Sequence, residues 1–275
     1  MALILYGVMG VCAGMLGALV GLGGGILLVP LLTLFLKVPI HQAIAASLVG
    51  VVATSTTTAI AYVRDEISNI KLGMTLETAT TVGAVLGGLT ASHLNKEALS
   101  GLFGLTLALV SVFLFHKNRA DRASYAPAPA GGVLDGRYYD PSLGRHVEYS
   151  VTRLPAGLAA SFIAGNLSGL LGIGGGPIKV PAMTALMGVP MKAAAATSNF
   201  MIGVTACASA YVYYARGHVD PLVAGPVALG VTIGAYAGAK AAPKMHGRQL
   251  TSLLIVVLLA LSAQMILAAF GLRIR

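Results

Sequence analysis

Charge is scarce in this 275-residue chain, with only 10% of residues being Asp, Glu, Lys or Arg, where a soluble domain averages about 25%. Hydrophobic residues make up 56%, and the mean hydropathy is +0.84. That balance excludes an ordinary soluble domain and points to a polytopic membrane protein. Cysteine is nearly absent too. Cys12 and Cys207 both lie in apolar stretches, which excludes a disulfide framework and a cysteine metal site. No His-x-x-His cluster, no pair of buried carboxylates and no Ser-His-Asp set occurs at usable positions, so no enzyme, metal site or cofactor is expected. No apolar stretch alternates like a barrel strand, which leaves an all-helical fold. The N-terminus has no basic stretch before its apolar run, so that run reads as the first membrane segment rather than a signal peptide. The net charge of +9 sits mostly in loops, where it orients a membrane protein; nucleic acid is not an expected partner.

What the chain does have is one phrase written twice. Gly21-Leu22-Gly23-Gly24-Gly25, then Val29-Pro30, Thr33 and Val38-Pro39, returns as Gly172-Ile173-Gly174-Gly175-Gly176, Val180-Pro181, Thr184 and Val189-Pro190, at a constant offset of 151 residues. The register persists from Ala13/Ala164 through Ser47/Ser198, Thr54/Thr205 and Tyr62/Tyr213 to Gly83/Gly234 and Gly87/Gly238. Compositional bias does not hold one register for that distance, so the chain is an internal duplication.

Ten apolar segments follow, at about 2–20, 24–36, 42–63, 73–93, 98–116, 154–171, 175–188, 193–215, 220–240 and 250–271. A spanning helix needs about 20 residues. The second and seventh segments begin at the glycine clusters, carry Pro30 or Pro181 and are too short to span comfortably. Each is expected to be a half-helix, a re-entrant element or a strongly kinked helix. The organisation is an N-terminal transmembrane repeat (1–116), a polar linker (117–153) and a C-terminal transmembrane repeat (154–275). The linker opens with Ala126-Pro127-Ala128-Pro129, which reads as extended coil. Its later part, around Tyr138 and Tyr139, is compatible with a small hairpin or with a disordered connector.

Basic residues divide unevenly between alternate loops. If all ten segments cross, one side collects Arg64, Lys71, Lys192, Lys240, Lys244, Arg248 and the six linker residues Lys117, Arg119, Arg122, Arg137, Arg145 and Arg153. The other collects Lys37, Lys96, Arg216, Arg273 and Arg275. The positive-inside rule then places the linker in the cytoplasm and both termini in the periplasm. Five crossings per repeat make the two halves inverted, as in many secondary transporters. If the two short segments do not cross, the repeat is parallel.

These doubled glycine phrases with Pro30 and Pro181, and the paired Ser47 and Ser198, resemble the TauE/SafE family, the sulfite exporter or TSUP family of bacterial membrane transporters, over nearly the whole chain. The resemblance implies transport of small sulfur-containing anions such as sulfite, sulfoacetate and other sulfonates across the inner membrane. It fixes neither the individual substrate nor the direction.

The residues themselves suit an anion. A helix N-terminus offers unpaired N–H groups and the positive dipole end, and glycine lets a ligand come close. The expected substrate-binding residues are Gly23, Gly24 and Gly25 in one half, and Gly174, Gly175 and Gly176 in the other. Close helix packing is the competing role for these glycines. A nucleotide loop is excluded because Ile26 breaks G-x-G-x-x-G and no Gly-Lys-Ser/Thr follows. Lys179 is a cation inside an apolar segment, placed either to pair with substrate or to snorkel to an interface. Ser47, Ser198 and Asn199 are candidate donors to substrate oxygens. Gly83/Gly87 and Gly234/Gly238 read as helix-packing pairs, and His41 and Lys192 as solvated loop residues. Apart from Asp220 at the first position of the ninth segment, Glu77 is the only acidic residue within an apolar segment, and it lies near that segment's end, so no mid-membrane carboxylate presents itself as a proton carrier. The expectation is a secondary transporter working by alternating access in a lipid bilayer, with an uncoupled anion channel as the alternative. A coupled proton and a homodimer stay open.

Overall fold

The computed structural model describes residues 2–20, 24–64, 66–119, 132–140, 144–241 and 247–271. Among these residues the ten apolar segments become ten α-helices: α1 (Ala2–Val20), α2 (Gly25–Pro30), α3 (Ile40–Arg64), α4 (Ile70–Ala91), α5 (Lys96–Arg119), α6 (Leu154–Leu171), α7 (Gly176–Ala185), α8 (Met191–Ala215), α9 (Pro221–Ala241) and α10 (Gly247–Ala269). Local chemistry sets several starts. Asn69 has extended backbone, and its side chain accepts from the Leu72 amide at 3.0 Å, capping α4. Asn95 does the same for α5 through the Ala98 amide, 2.9 Å away. Asp220 accepts from the Leu222 amide just ahead of α9, whose first residue is Pro221.

Among the described residues five helices are long and apolar enough to cross a bilayer, represented by Ile40–Thr57, Lys96–Phe113, Leu154–Leu171, Met191–Ala215 and Pro221–Gly238. Large apolar side chains such as Ile4, Leu109, Leu229 and Val256 face outward from the bundle. In water this would be costly; in hydrocarbon it is the stable arrangement. The fold is an all-α polytopic membrane fold.

The two short segments take the shape their length dictates. The α2 helix runs on into a π-helical turn (Leu31–Phe35), and α7 has ten residues. At about 1.5 Å per residue, each covers roughly half of a hydrocarbon core about 30 Å thick. Their ends are built alike. Gly24 and Gly175 cap the two helices in left-handed conformation, at φ 71° and 74°. Thr33 donates to the Val29 carbonyl as Thr184 does to that of Val180. The Val38 amide bonds Leu32 O, and the Val189 amide bonds Met183 O. Even the left-handed residue before each valine recurs, as Lys37 in one half and Gly188 in the other.

Packing joins the halves rather than separating them. The most extensive helix pairs are α1 with α9 and α4 with α6, which exchange under the 151-residue offset; α5 pairs with α10, and α3 with α8. Glycine makes the close pairs feasible. A Cβ on Gly83 or Gly87 would collide with the backbone carbonyls of Phe162 or Asn166 on α6. On Gly234 it would collide with Val11 O on α1, and on Gly238 it would lie 2.6 Å from Met15 O. These four glycines are packing elements, as their spacing implied.

The later part of the linker is an antiparallel hairpin of β1 (Gly136–Asp140) and β2 (Arg145–Tyr149), with Tyr138 opposite Val147 and Gly136 opposite Tyr149. Tyr138 and Tyr149 are buried in an apolar cluster with Leu72, Val180, Met183 and Met187. Asn69 adds bonds to Leu134 O at 2.8 Å and to the Tyr149 hydroxyl at 3.3 Å. The hairpin therefore docks against α4 and α7 rather than forming a loose tether. The Ala126-Pro127-Ala128-Pro129 stretch lies outside the described residues.

Candidate functional site

Gly25 of the first glycine cluster meets Gly172 of the second in the buried interior of the bundle. Gly25 and Gly172 approach so closely that a Cβ on Gly25 would lie 2.8 Å from Gly172 O, and it would also strike Val51. On Gly174 (φ 77°) a Cβ would press on Ile202 at 2.8 Å and Val51 at 2.9 Å. Glycine is required here both for the left-handed backbone and for the approach. Gly24, Gly25, Gly174, Gly175 and Gly176 are all buried; Gly23 lies outside the described residues.

The paired serines are not equivalent. Ser47 on α3 donates to Gly172 O at 2.8 Å and lies 3.2 Å from Gly25 O, so it pins the opposite half's glycine loop. Its mate Ser198 on α8 is buried, and its hydroxyl has no hydrogen-bond partner among the described residues. Ser68 and Ser168 share that condition. Two of the three, Ser168 and Ser198, flank the N-terminus of α7. A Cβ on Gly175 would lie 3.5 Å from Ser168 Cβ, and one on Gly176 would lie 3.6 Å from Ser198 Oγ. The Ile178 and Lys179 amides both turn back to Gly175 O. Among the described residues the Gly175 and Gly176 amides have no backbone partner. Asn199, beside Ser198, is buried, and its carbonyl accepts from Ser55 at 2.6 Å.

Lys179 is 1% exposed, so it does not snorkel. Its stem crosses the glycine loop, where a Cβ on Gly175 would lie 3.3 Å from Lys179 Cε. Its ammonium pairs with Glu77 on α4 at 3.3 Å and donates to Thr205 Oγ1 at 2.7 Å. Thr205 in turn donates to Glu77 Oε1 at 2.6 Å, and Thr81 reaches the same oxygen at 3.2 Å. Glu77 is thus a buried carboxylate in the bundle interior (4% exposed), two turns into α4. Sequence reasoning missed this pair, and Ser168 with it. One signal was available: at the 151-residue offset Lys179 aligns with Leu28 and Glu77 with Ala228, so both partners leave the repeat pattern together.

Other expectations fall elsewhere. His41 is held rather than merely solvated: its ring nitrogen lies 3.2 Å from Ala91 O, and the ring stacks on His218 at 5.2 Å. Lys192 is exposed at the start of α8. Thr54, Thr56 and Thr57 on α3 bond back to carbonyls one turn earlier, whereas Ser55 between them reaches across to α8. A cavity of about 860 Å³ opens away from the glycine loops, beside Thr33, Lys37, Lys96 and Gln264. Among the described residues no group of acidic, histidine or cysteine side chains is arranged to hold a metal.

Broken helices meeting inside a polytopic bundle, with buried polar groups at the break, define a membrane transporter. The sequence comparisons agree. The model of the sulfite exporter TauE/SafE family matches residues 6–265, and this chain belongs to that family. It is 31% identical to a probable membrane transporter protein, YunE, of Bacillus subtilis, over 97% of this chain and 98% of the relative. A probable membrane transporter protein of Haemophilus influenzae is 26% identical, over 95% and 94%. A second Bacillus subtilis relative, YdhB, is 25% identical over 82% and 85%. No solved structure matches the chain.

Proposed function

We propose that this protein is a secondary transporter of small sulfur-containing anions, sulfite, sulfoacetate or other organosulfonates, across the bacterial inner membrane by alternating access. The carrying observation is the N-terminus of α7: a buried glycine turn flanked by the unpartnered hydroxyls of Ser168 and Ser198. A sulfonate presents three oxygens. The Gly175 and Gly176 amides with two serine hydroxyls match that demand without placing a formal charge against it. Asn199, next to Ser198 on α8, is a further candidate donor, and Ser47 positions the loop from the other half. The family's name supports a sulfur oxyanion as substrate. In this reading the repeats 1–116 and 154–275 are inverted, the linker 117–153 is cytoplasmic and the termini are periplasmic.

Uptake and counterflow in proteoliposomes test the proposal, with sulfite, sulfoacetate, taurine, thiosulfate and sulfate as the panel. Wild type is compared with Gly174→Leu and Ser198→Ala. One sulfur anion moving in wild type and stalling in both folded variants supports the site. A conductance that follows the electrochemical gradient, with no accumulation, identifies a channel instead. Transport unaffected by both substitutions reduces the glycines to packing elements and overturns the proposal.

A further inference from the structure

The Lys179–Glu77 pair has no part in the anion cradle just described, yet it touches it. The same Lys179 side chain lies over Gly175 and ends on Glu77. The fold does not demand the pair. At the equivalent place the other half holds Leu28 and Ala228 around equivalent helix contacts, although the hydroxyls Thr54 and Thr232 recur opposite Thr205 and Thr81. A buried ion pair is weak evidence for stability, because apolar replacements usually serve as well. Ionisable groups at membrane depth mark proton and ion pathways.

The surroundings leave Glu77 and Lys179 to govern each other. The α6 helix carries no titratable residue, α7 brings only Lys179, and α4 adds only Lys71, which is exposed. On α8, Lys192, Cys207, Tyr211 and Tyr214 are exposed, while the Tyr213 hydroxyl is 3.1 Å from Gly169 O. The hairpin turns Arg137, Arg145 and Glu148 to solvent and buries the neutral Tyr138 and Tyr149.

We propose that Glu77 is a proton-binding site linked through Lys179 to anion binding at the glycine loop, an inference that rests on the transport reading above. A proton from water adds to a Glu77 carboxylate oxygen, and the new O–H is held by the hydroxyl oxygens of Thr205 or Thr81. The ion pair is thereby broken. The Lys179 charge, no longer compensated, is left to an anion beside Gly175. Proton and anion enter together and leave together, and no bond forms in the substrate. Because linkage is reciprocal, the anion also raises the proton occupancy of Glu77.

Two measurements on the full-length protein in lipid test this. Infrared pH-difference spectra need no substrate; they are expected to show a carboxylic acid C=O band that is absent from Glu77→Gln. Thiosulfate and sulfoacetate, ionised throughout the neutral range, then serve as probes in proteoliposomes. Wild-type affinity is expected to rise by up to about tenfold for each unit the pH is lowered, the limit for one linked proton. Glu77→Gln is expected to keep counterflow and lose both the pH dependence and accumulation driven by a proton gradient. The Glu77→Ala/Lys179→Leu double variant copies the other half and guards against a folding defect; it too is expected to fold and lose proton drive. A missing Glu77 band, or proton-driven accumulation that survives in Glu77→Gln, overturns the inference. If the band is present and no sulfur anion moves in wild type, the substrate reading falls while the proton site stands.

Discussion

Replacing Gly174 with alanine tests the central geometry most directly. Two costs are expected. The residue has φ 77°, and an L-residue held in the left-handed region loses about 1–2 kcal/mol. The new methyl would also lie 2.8 Å from Ile202 Cγ2 and 2.9 Å from Val51 Cγ1, and overpacking of a filled core costs about 1–3 kcal/mol. Gly217 supplies the control. It is left-handed too, at φ 71°, but nothing lies within 4 Å of its would-be Cβ. Gly217→Ala therefore carries the backbone cost alone, and the entropic benefit of alanine in the unfolded chain is common to both variants. The difference between them isolates the crowding at about 1–3 kcal/mol. Reversible unfolding in mixed detergent micelles reads it, with counterflow on the same preparations. Equal loss of stability in the two variants would refute the claim that the glycine loops meet in a packed interior.

The serine pair gives a second contrast. Ser47→Ala strips a buried Gly172 carbonyl of its donor and is expected to cost about 1–3 kcal/mol, whereas Ser198→Ala removes an unpartnered hydroxyl and is expected to leave stability nearly unchanged while lowering anion affinity; denaturation and binding on both variants separate the roles. Removing one partner of the buried ion pair, as in Lys179→Met, is expected to destabilise by about 3–5 kcal/mol, and restoring most of that with Glu77→Ala in the same chain is the double-mutant check. Burial raises the pKa of the Tyr149 hydroxyl above its ordinary 10.0, Asp135 adds to the shift, and the Asn69 hydrogen bond opposes it. The folded state then holds its proton more tightly than the unfolded one, so this contribution is complete below pH 10 and is lost as the pH rises through the folded value. Tyrosinate absorbance in wild type against Tyr149→Phe follows it, and a Tyr149 titration at the free-tyrosine value would contradict the docked hairpin.

Much of this protein was legible in its sequence because the strongest signals were local. Hydrophobic runs set ten helices to within a few residues, since backbone satisfaction in lipid leaves no other structure for an apolar run. The glycine clusters marked where helices break, and the 151-residue offset foretold the recurring bonds of Thr33 and Thr184. Tertiary structure decided what lay far apart in the chain. Ser47 and Ser198 read alike in sequence, but the fold satisfies one and leaves the other bare. Lys179 and Glu77 stand 102 residues apart, and no periodicity connects them; only the packing of α4 against α6 and α8 brings the carboxylate to the ammonium. A repeat shows which positions correspond, whereas the partners of a buried polar group depend on which helices touch, and that is settled by the assembled bundle.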